Sequence, residues 1–212
     1  MTERKPLTLS QIAWYALMVS PFAAMHLACL MALWVGVSWV AIGTCIALYY
    51  IRMFGITGGY HRYFSHRSFK TSRFFQFVLA VIGNASVQMG PLWWAAMHRH
   101  HHKHSDTEDD HHSPVVYGFL WAHVGWFLST VNQHTDEKLV KDLTKYPELV
   151  FLNRNYKVVP IVLALSLYLI GHALYLWVPS LGTNGLQMLT WGFFISTVLL
   201  YHGTFTINSV GH

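Results

Sequence analysis

The stretch "PLTLSQIAWYALMVSPFAAMHLACLMALWVGVSWVAIGTCIALYYI", residues 6–51, contains no Lys, Arg, Asp or Glu. As a continuous helix it would extend roughly 69 Å, about twice the ~30 Å thickness of a bilayer's hydrocarbon core. One span cannot account for it, and two spans joined by a tight turn can. Gly36, Val37 and Ser38 supply the turn chemistry, which predicts a first span within 14–35 and a second from 39 to 54. A second charge-free stretch runs from Val158 onward and is broken by "PSLGTNG" at 179–185, a second hairpin of the same kind. The reading is therefore an all-α, multi-pass membrane protein with four transmembrane helices.

The composition agrees, with 53% hydrophobic and 11% charged residues. Two other apolar runs, 74–97 and 115–131, decide the topology. Arg62, Arg67, Lys70 and Arg73 precede the first, Arg99 and Lys103 follow it, and Lys138 and Lys141 follow the second. Positive charge on both sides argues against spans, so both are expected to lie in the membrane interface. All fourteen Lys and Arg residues then fall on one side, and the positive-inside rule places both termini and residues 55–157 in the cytoplasm. The expected organisation is one domain, 1–212: a hairpin at 14–54, a cytoplasmic helical cap at 55–157, and a second hairpin at 158–212. The net charge of +5 is explained by this topology, and no basic stripe interleaved with aromatics points to nucleic acid. Cys29 and Cys45 sit in apolar runs without metal-site spacing, as packing residues do.

The cap carries the chemistry. "AAMHRHHHKHSDTEDDHHSP", residues 95–114, holds seven histidines. On a helix His98, His101 and His102 share a fan of about 100°, while His100 and His104 point away. That HxxHH spacing lets imidazoles reach one metal ion or two adjacent ones. Upstream, "HRYFSH" sets His61 and His66 five residues apart. They stand about 140° apart on an ideal helix, so they serve different metals or sit where the helix unwinds. A flexible metal-buffering loop would explain the tract alone, but not a second box with its own spacing tied to the same membrane face. His26 and His172, alone in apolar spans, read as hydrogen-bonded core residues. Imidazole suits Zn, Cu, Fe and Ni alike. Soluble di-iron bundles use two ExxH motifs, whereas here ExxH occurs once, at Glu108–His111, and all nine acidic residues lie outside the spans, which disfavours an ion pathway.

"GGYHRYFSH", "HRHHHKHSDTEDDHH", "HVGW" and the terminal "NSVGH" together resemble the membrane fatty acid desaturases of the acyl-CoA Δ9, stearoyl-CoA desaturase-like type, over nearly the whole chain. The resemblance implies an oxygen-dependent di-iron enzyme that removes two hydrogens from a saturated acyl chain to leave a cis double bond. It implies two Fe ions and O2 as co-substrate, with His61, His66, His98, His101, His102 and His212 as ligands and Asn208 holding a metal-bound water. It places His112 near the site without making it a ligand. The run Asp106, Glu108, Asp109 and Asp110 reads as a solvated face, with Asp110 able to hydrogen-bond a ligand imidazole. Trp93, Trp94, Trp121 and Trp126 read as tunnel-lining residues or as an interfacial belt.

The chain has no flavin, haem or iron–sulfur motif, so electrons would come from an external donor of the ferredoxin or cytochrome b5 kind. Membrane lipids and a fatty acyl substrate are the other expected partners. Two departures from the family pattern matter. The family's third box, HxxHH, is not reached before His212, which implies a fragment of a longer protein or a degenerate copy, inactive as these 212 residues alone. Where acyl-CoA enzymes carry Arg-Asp and Arg-Lys for the CoA headgroup, this chain has Ala96, Met97 and Ser129, Thr130. The carrier is thus open between acyl-CoA, acyl-carrier protein and a lipid. Two readings compete with desaturation: a membrane lipid or alkane hydroxylase with similar boxes, and a metal transporter with a His-rich cytoplasmic loop.

Overall fold

The computed structural model describes the backbone of residues 9–211 and the side chains from residue 16 onward, Met18 excepted. His212 lies outside the described residues. Among these residues every regular element is helical, without a β-strand.

Helix α1 covers 9–35, with a 3-10 turn at Cys29–Met31. Gly36, at φ 68°, reverses the chain in a conformation that suits glycine. Ser38 then caps α2 by accepting the Ala41 N–H at 3.1 Å. Helix α2, Trp39–Ser65, is one continuous rod that is α-helical to Phe54 and π-wound over Gly55–Ser65. α3 (Arg73–Asn84) and α4 (Pro91–His104) follow, each started as its sequence demands. Ser72 caps the Phe75 N–H, and Pro91 takes a first-turn position where its missing donor is harmless. The short α5 spans 121–128 and α6 spans Pro147–Arg154, with a turn of helix at Glu137–Val140 and Lys141–Thr144 between them. α7 is Val158–Trp177, and α8 runs through 185–210, capped by Asn184 and π-wound at Thr190–Ile195.

Two helices are long and apolar enough to cross a membrane, Trp39–Ser65 with mean hydropathy 1.5 and Val158–Trp177 with 2.0. Val19–Val35 is a shorter apolar stretch. α8 is less apolar because its polar groups are spent inside: Ser196 and Thr197 are buried and accept hydrogen bonds from Arg52, itself 1% exposed on α2. α8 is the common wall of the bundle, packing against α1, α2, α5 and α7. The two reversals meet at one end, where the Ser38 hydroxyl donates to Thr183 (2.9 Å), Gln187 donates to the Val35 carbonyl and Trp191 to that of Gly36.

At the other end the main core holds Ile56, Tyr60, Phe64, Leu79, Leu92, Leu149, Leu152 and Leu200, beneath the histidines. The π-wound half of α2 approaches α3 backbone to backbone. A methyl on Gly55 would lie 2.7 Å from the Gly83 nitrogen, and one on Gly83 would lie 2.3 Å from the Tyr60 ring. Only glycines permit this crossing, and it fixes the height of Tyr60 and of His61 beside it.

Candidate metal centre

Winding decides where the first box points. In the π-wound segment the His66 N–H bonds the His61 carbonyl five residues back (3.0 Å), and the Ser65 hydroxyl bonds the Tyr60 carbonyl at the same interval. His61 and His66 are thereby stacked on one side, their Nε2 atoms 3.1 Å apart. From α4, just past the buried Leu92, Ala95 and Ala96, the second box meets them. His66 Nε2 lies 3.0 Å from His98 Nε2, which lies 3.0 Å from His102 Nε2. The ligand atoms of His61, His66, His98 and His102 all fall within 4.8 Å of one another.

Protons alone do not satisfy such a knot. Each neutral imidazole nitrogen carries either one proton or one lone pair, so these four nitrogens make at most two linear N–H···N bonds, one fewer than the three short contacts between them. A cation accepts all four lone pairs. Burial, then the neighbouring His61, His102, His66 and His101, push the His98 pKa down to about 2, so this imidazole is neutral and ready to ligate. Burial, then His66 and His101, lower that of His102 as well. Trp94 stacks on His98 with centroids 5.0 Å apart and meets His61 edge-on, sealing the inner side. The outer side opens into a cavity of about 420 Å³ lined by Ser65, His66, Arg67, His98, Arg99 and His102.

His101 belongs to a separate cluster. Its neighbour His102 is one residue on, about 100° around the helix, and the two rings face different partners. His101 instead meets Asp110 and His112, with ligand atoms again within 4.8 Å. Asp110 is fully buried: both its oxygens lie 3.0 Å from His101 Nδ1, and it accepts the N–H groups of Asp106 (3.1 Å) and His112 (3.2 Å). Burial alone would raise its pKa, but the His101 bond and the two backbone N–H bonds prevail and hold the carboxyl below its usual range. A carboxylate on Nδ1 fixes the proton there and leaves the Nε2 lone pair of His101 for a metal. The rest of the acidic run is divided: Asp106 accepts from Ser113 at 2.7 Å, and the Asp109 side chain is 78% exposed.

His100, His104 and His111 stack together on the far face, His100 lying 4.5 and 4.3 Å from the other two ring centroids. Trp93 and Trp126 are buried and stacked at 5.8 Å, and Trp121 donates to the His111 carbonyl. Asn208 is half-buried on the last turns of α8.

One group of histidines escapes any reading by spacing. His123, of HVGW, lies 2.9 Å from the Ser209 hydroxyl and 3.0 Å from His202 Nδ1, while His202 Nε2 lies 3.1 Å from His26 Nε2. Here His202 uses a different nitrogen toward each neighbour, so protons satisfy the row, and it is a hydrogen-bonded chain, unlike the four-histidine knot. The residues are 176 positions apart at the extremes, beyond any local sequence signal.

Helices that bring imidazoles from two boxes to one point at the end of an apolar bundle make a cluster that could hold a metal ion. The family model for fatty acid desaturase matches residues 37–212. The chain is 34% identical to the sn-1 stearoyl-lipid 9-desaturase of Anabaena variabilis, covering all of this chain and 71% of that protein. It is 34% identical to an acyl-CoA C20 Delta5-desaturase of Anemone leveillei (82% of this chain, 53% of the relative) and 32% identical to a hex-5-enoyl-[acyl-carrier protein] acetylenase of Moorena producens (84% and 58%). The chain belongs to the fatty acid desaturase family, a family of oxidoreductases. It spans between about half and seven tenths of the length of these curated relatives.

Proposed function

We propose that this chain is the four-helix membrane portion of an oxygen-dependent di-iron desaturase that introduces a cis double bond, at Δ9, into a saturated acyl chain. The observation that carries this reading is the convergence of four imidazole Nε2 atoms from HxxxxH and HxxHH on one point. The donor set fits iron: neutral nitrogens, a buried tautomer-fixing carboxylate and an open side facing a cavity. His61, His66, His98 and His102 would hold one ion. His101, oriented by Asp110, would serve the second, together with His212 and with Asn208 through a water. Bound iron supplies the oxygen-dependent oxidising power needed to take hydrogen from an unactivated methylene. The chain's own residues keep the ligands neutral, fix the His101 tautomer, and place Trp94 as a dry wall against the centre.

The same geometry supports the proposed topology. Trp34 (78% exposed), Trp39 (87%) and Trp177 (81%) ring the end where both reversals meet, as interfacial aromatics do. The rod from Trp39 to His61 covers roughly 30 Å, about one hydrocarbon thickness. The histidines then lie at the opposite, cytoplasmic face, amid the exposed Arg62, Arg67, Lys70 and Arg73. These basic residues suit the docking of an acidic ferredoxin- or cytochrome b5-like electron donor. The relatives' names include a lipid-linked, a CoA-linked and a carrier-protein-linked substrate. The absence of the CoA-contacting pattern at Ala96, Met97, Ser129 and Thr130 favours an acyl-lipid here.

Expression of the gene in a host lacking its own desaturase tests the reading by fatty acid analysis. A cis-9 monounsaturated product that vanishes with His66→Ala is expected. Hydroxylated chains without unsaturation would overturn it.

A further inference from the structure

The residue immediately after each of the two facing histidines grips the same carboxylate. Arg67 follows His66 and places Nε 3.0 Å from Asp142 Oδ2; Arg99 follows His98 and holds Asp142 with two bonds, 2.7 Å to Oδ1 and 3.0 Å to Oδ2. Arg99 is the more deeply set, its side chain 13% exposed. Its remaining donors reach the carbonyls of Phe64 (2.6 Å), Ser65 (3.2 Å) and Leu139 (2.7 Å), so each of the five N–H groups of the guanidinium has an acceptor. The Phe64 and Ser65 carbonyls belong to the last turn of the π-wound segment, between His61 and His66, where a helix leaves acceptors without partners. Asp142 itself sits on the short helix after α5, outside both boxes.

A planar guanidinium with all its donors engaged has one orientation. It therefore fixes the end of α2 relative to α4, and the 3.0 Å approach of His66 to His98 is spanned by this brace. We propose that Asp142, acting through Arg67 and Arg99, is a positioning residue for the four-histidine metal cluster: it sets the separation of the two boxes and hence metal affinity. This rests on the metal-centre reading above and deepens it. Arg73 and Glu148 supply an internal comparison. They form an equally short two-bond pair, 2.7 and 2.8 Å, joining α3 to α6 rather than one histidine box to the other.

The experiment is Co(II) titration of the chain purified in detergent, read by the visible d–d spectrum of the bound ion and by competition with a chelator. Asp142→Asn, Arg99→Lys and Arg67→Gln are compared with Glu148→Gln, each checked by thermal melting. Outer partners of metal ligands typically change affinity about 10–100-fold. A loss of that size is expected for Asp142→Asn and Arg99→Lys, with an altered spectrum. Arg67→Gln, at a 61% exposed side chain, should lose several-fold without a change in melting. Glu148→Gln should keep the wild-type spectrum and affinity. If Arg67→Gln and the folded Arg99 or Asp142 variants bind Co(II) as wild type does, or if Glu148→Gln weakens binding equally, the proposal is wrong. A wild-type chain that takes up no Co(II) would overturn the metal-centre reading, and this proposal with it.

Discussion

Replacing Asp110 by Asn alters one atom's chemistry at a site with no solvent to repair it. The carboxylate is 0% exposed and serves three donors, His101 Nδ1–H and the backbone N–H groups of Asp106 and His112. The amide offers one acceptor oxygen and a donor group in place of the second oxygen. At least one buried donor then faces another donor, an arrangement that costs about 1–3 kcal/mol. In a chain of this size that lowers the melting temperature by about 2–4 °C per kcal/mol. The second effect is on the tautomer. With the amide NH2 toward His101, the ring is held with its proton on Nε2 and its lone pair on Nδ1, the reverse of what a metal at Nε2 needs. Metal affinity at His101 should fall about 10–100-fold, while binding at the four-histidine cluster, which excludes His101, persists. Nitrogen-15 NMR of labelled histidine reports the tautomer, and Co(II) stoichiometry reports the loss. Asp109→Asn, at a side chain 78% exposed, is the matched control. An Asp110→Asn protein with unchanged tautomer, melting and metal stoichiometry would refute the assignment of Asp110 as the group that orients His101.

Gly83→Ala should destabilise by about 1–3 kcal/mol through overpacking, because its methyl would lie 2.3 Å from a Tyr60 ring that is fully buried; the loss should shrink in a Tyr60→Ala background, measured as a double-mutant cycle in thermal melts. Acid should destabilise in two stages. His98 is depressed to about 2 from a model-compound value of 6.5, so its contribution is present above pH 6.5 and is lost as pH falls below it; Asp110, Asp142 and Glu148, the last held at about 2 by Arg73, contribute above pH 4.5 and are lost beneath it. Melting temperature against pH should show both stages, and His98→Ala should remove the upper one. Saturating Co(II) or Fe(II) should raise the melting temperature of the wild-type chain, by about 2.7 kcal/mol of stability per site at one hundred times the dissociation constant, and His66→Ala should remove the four-histidine cluster's share of the rise.

Much of this was readable from charge and spacing. The charge gaps hold apolar helices and the residues at 36–38 and 179–185 lie between helices, but the helix begun at Trp39 runs past its expected end at 54 to Ser65, because the chain goes on winding as π-helix. The two boxes hold five histidines expected as ligands, and four of them converge on one point. What was not readable has a physical cause in each case. The pairing of His61 with His66 depends on winding: on an α-helix five residues separate the rings by about 140°, and only the i→i+5 repeat of a π-helix stacks them. The division of His101 from His102 depends on which of two adjacent residues Asp110 captures, a tertiary event. Asp110 sits in an acidic run whose composition suggests solvent, yet its neighbours bury it completely. The Arg67–Asp142–Arg99 brace joins Asp142 to Arg99, 43 residues away, and to Arg67 further still, and the chain from His26 to Ser209 crosses three helices. No periodicity carries such information.

The π-wound end of α2 sets a limit on what changes in length the first box can absorb. Deleting one residue between His61 and His66 would leave HxxxH, a spacing that an ordinary α-helix stacks on one face within about 40°. The imidazole pair would survive the deletion if the segment rewound. The carbonyls of Phe64 and Ser65 would then turn away from Arg99, because the same rewinding rotates them about the axis. The extra residue is therefore better understood as serving the guanidinium than the metal: it separates the job of presenting histidines from the job of offering acceptors, so that one turn of helix faces two neighbours at once.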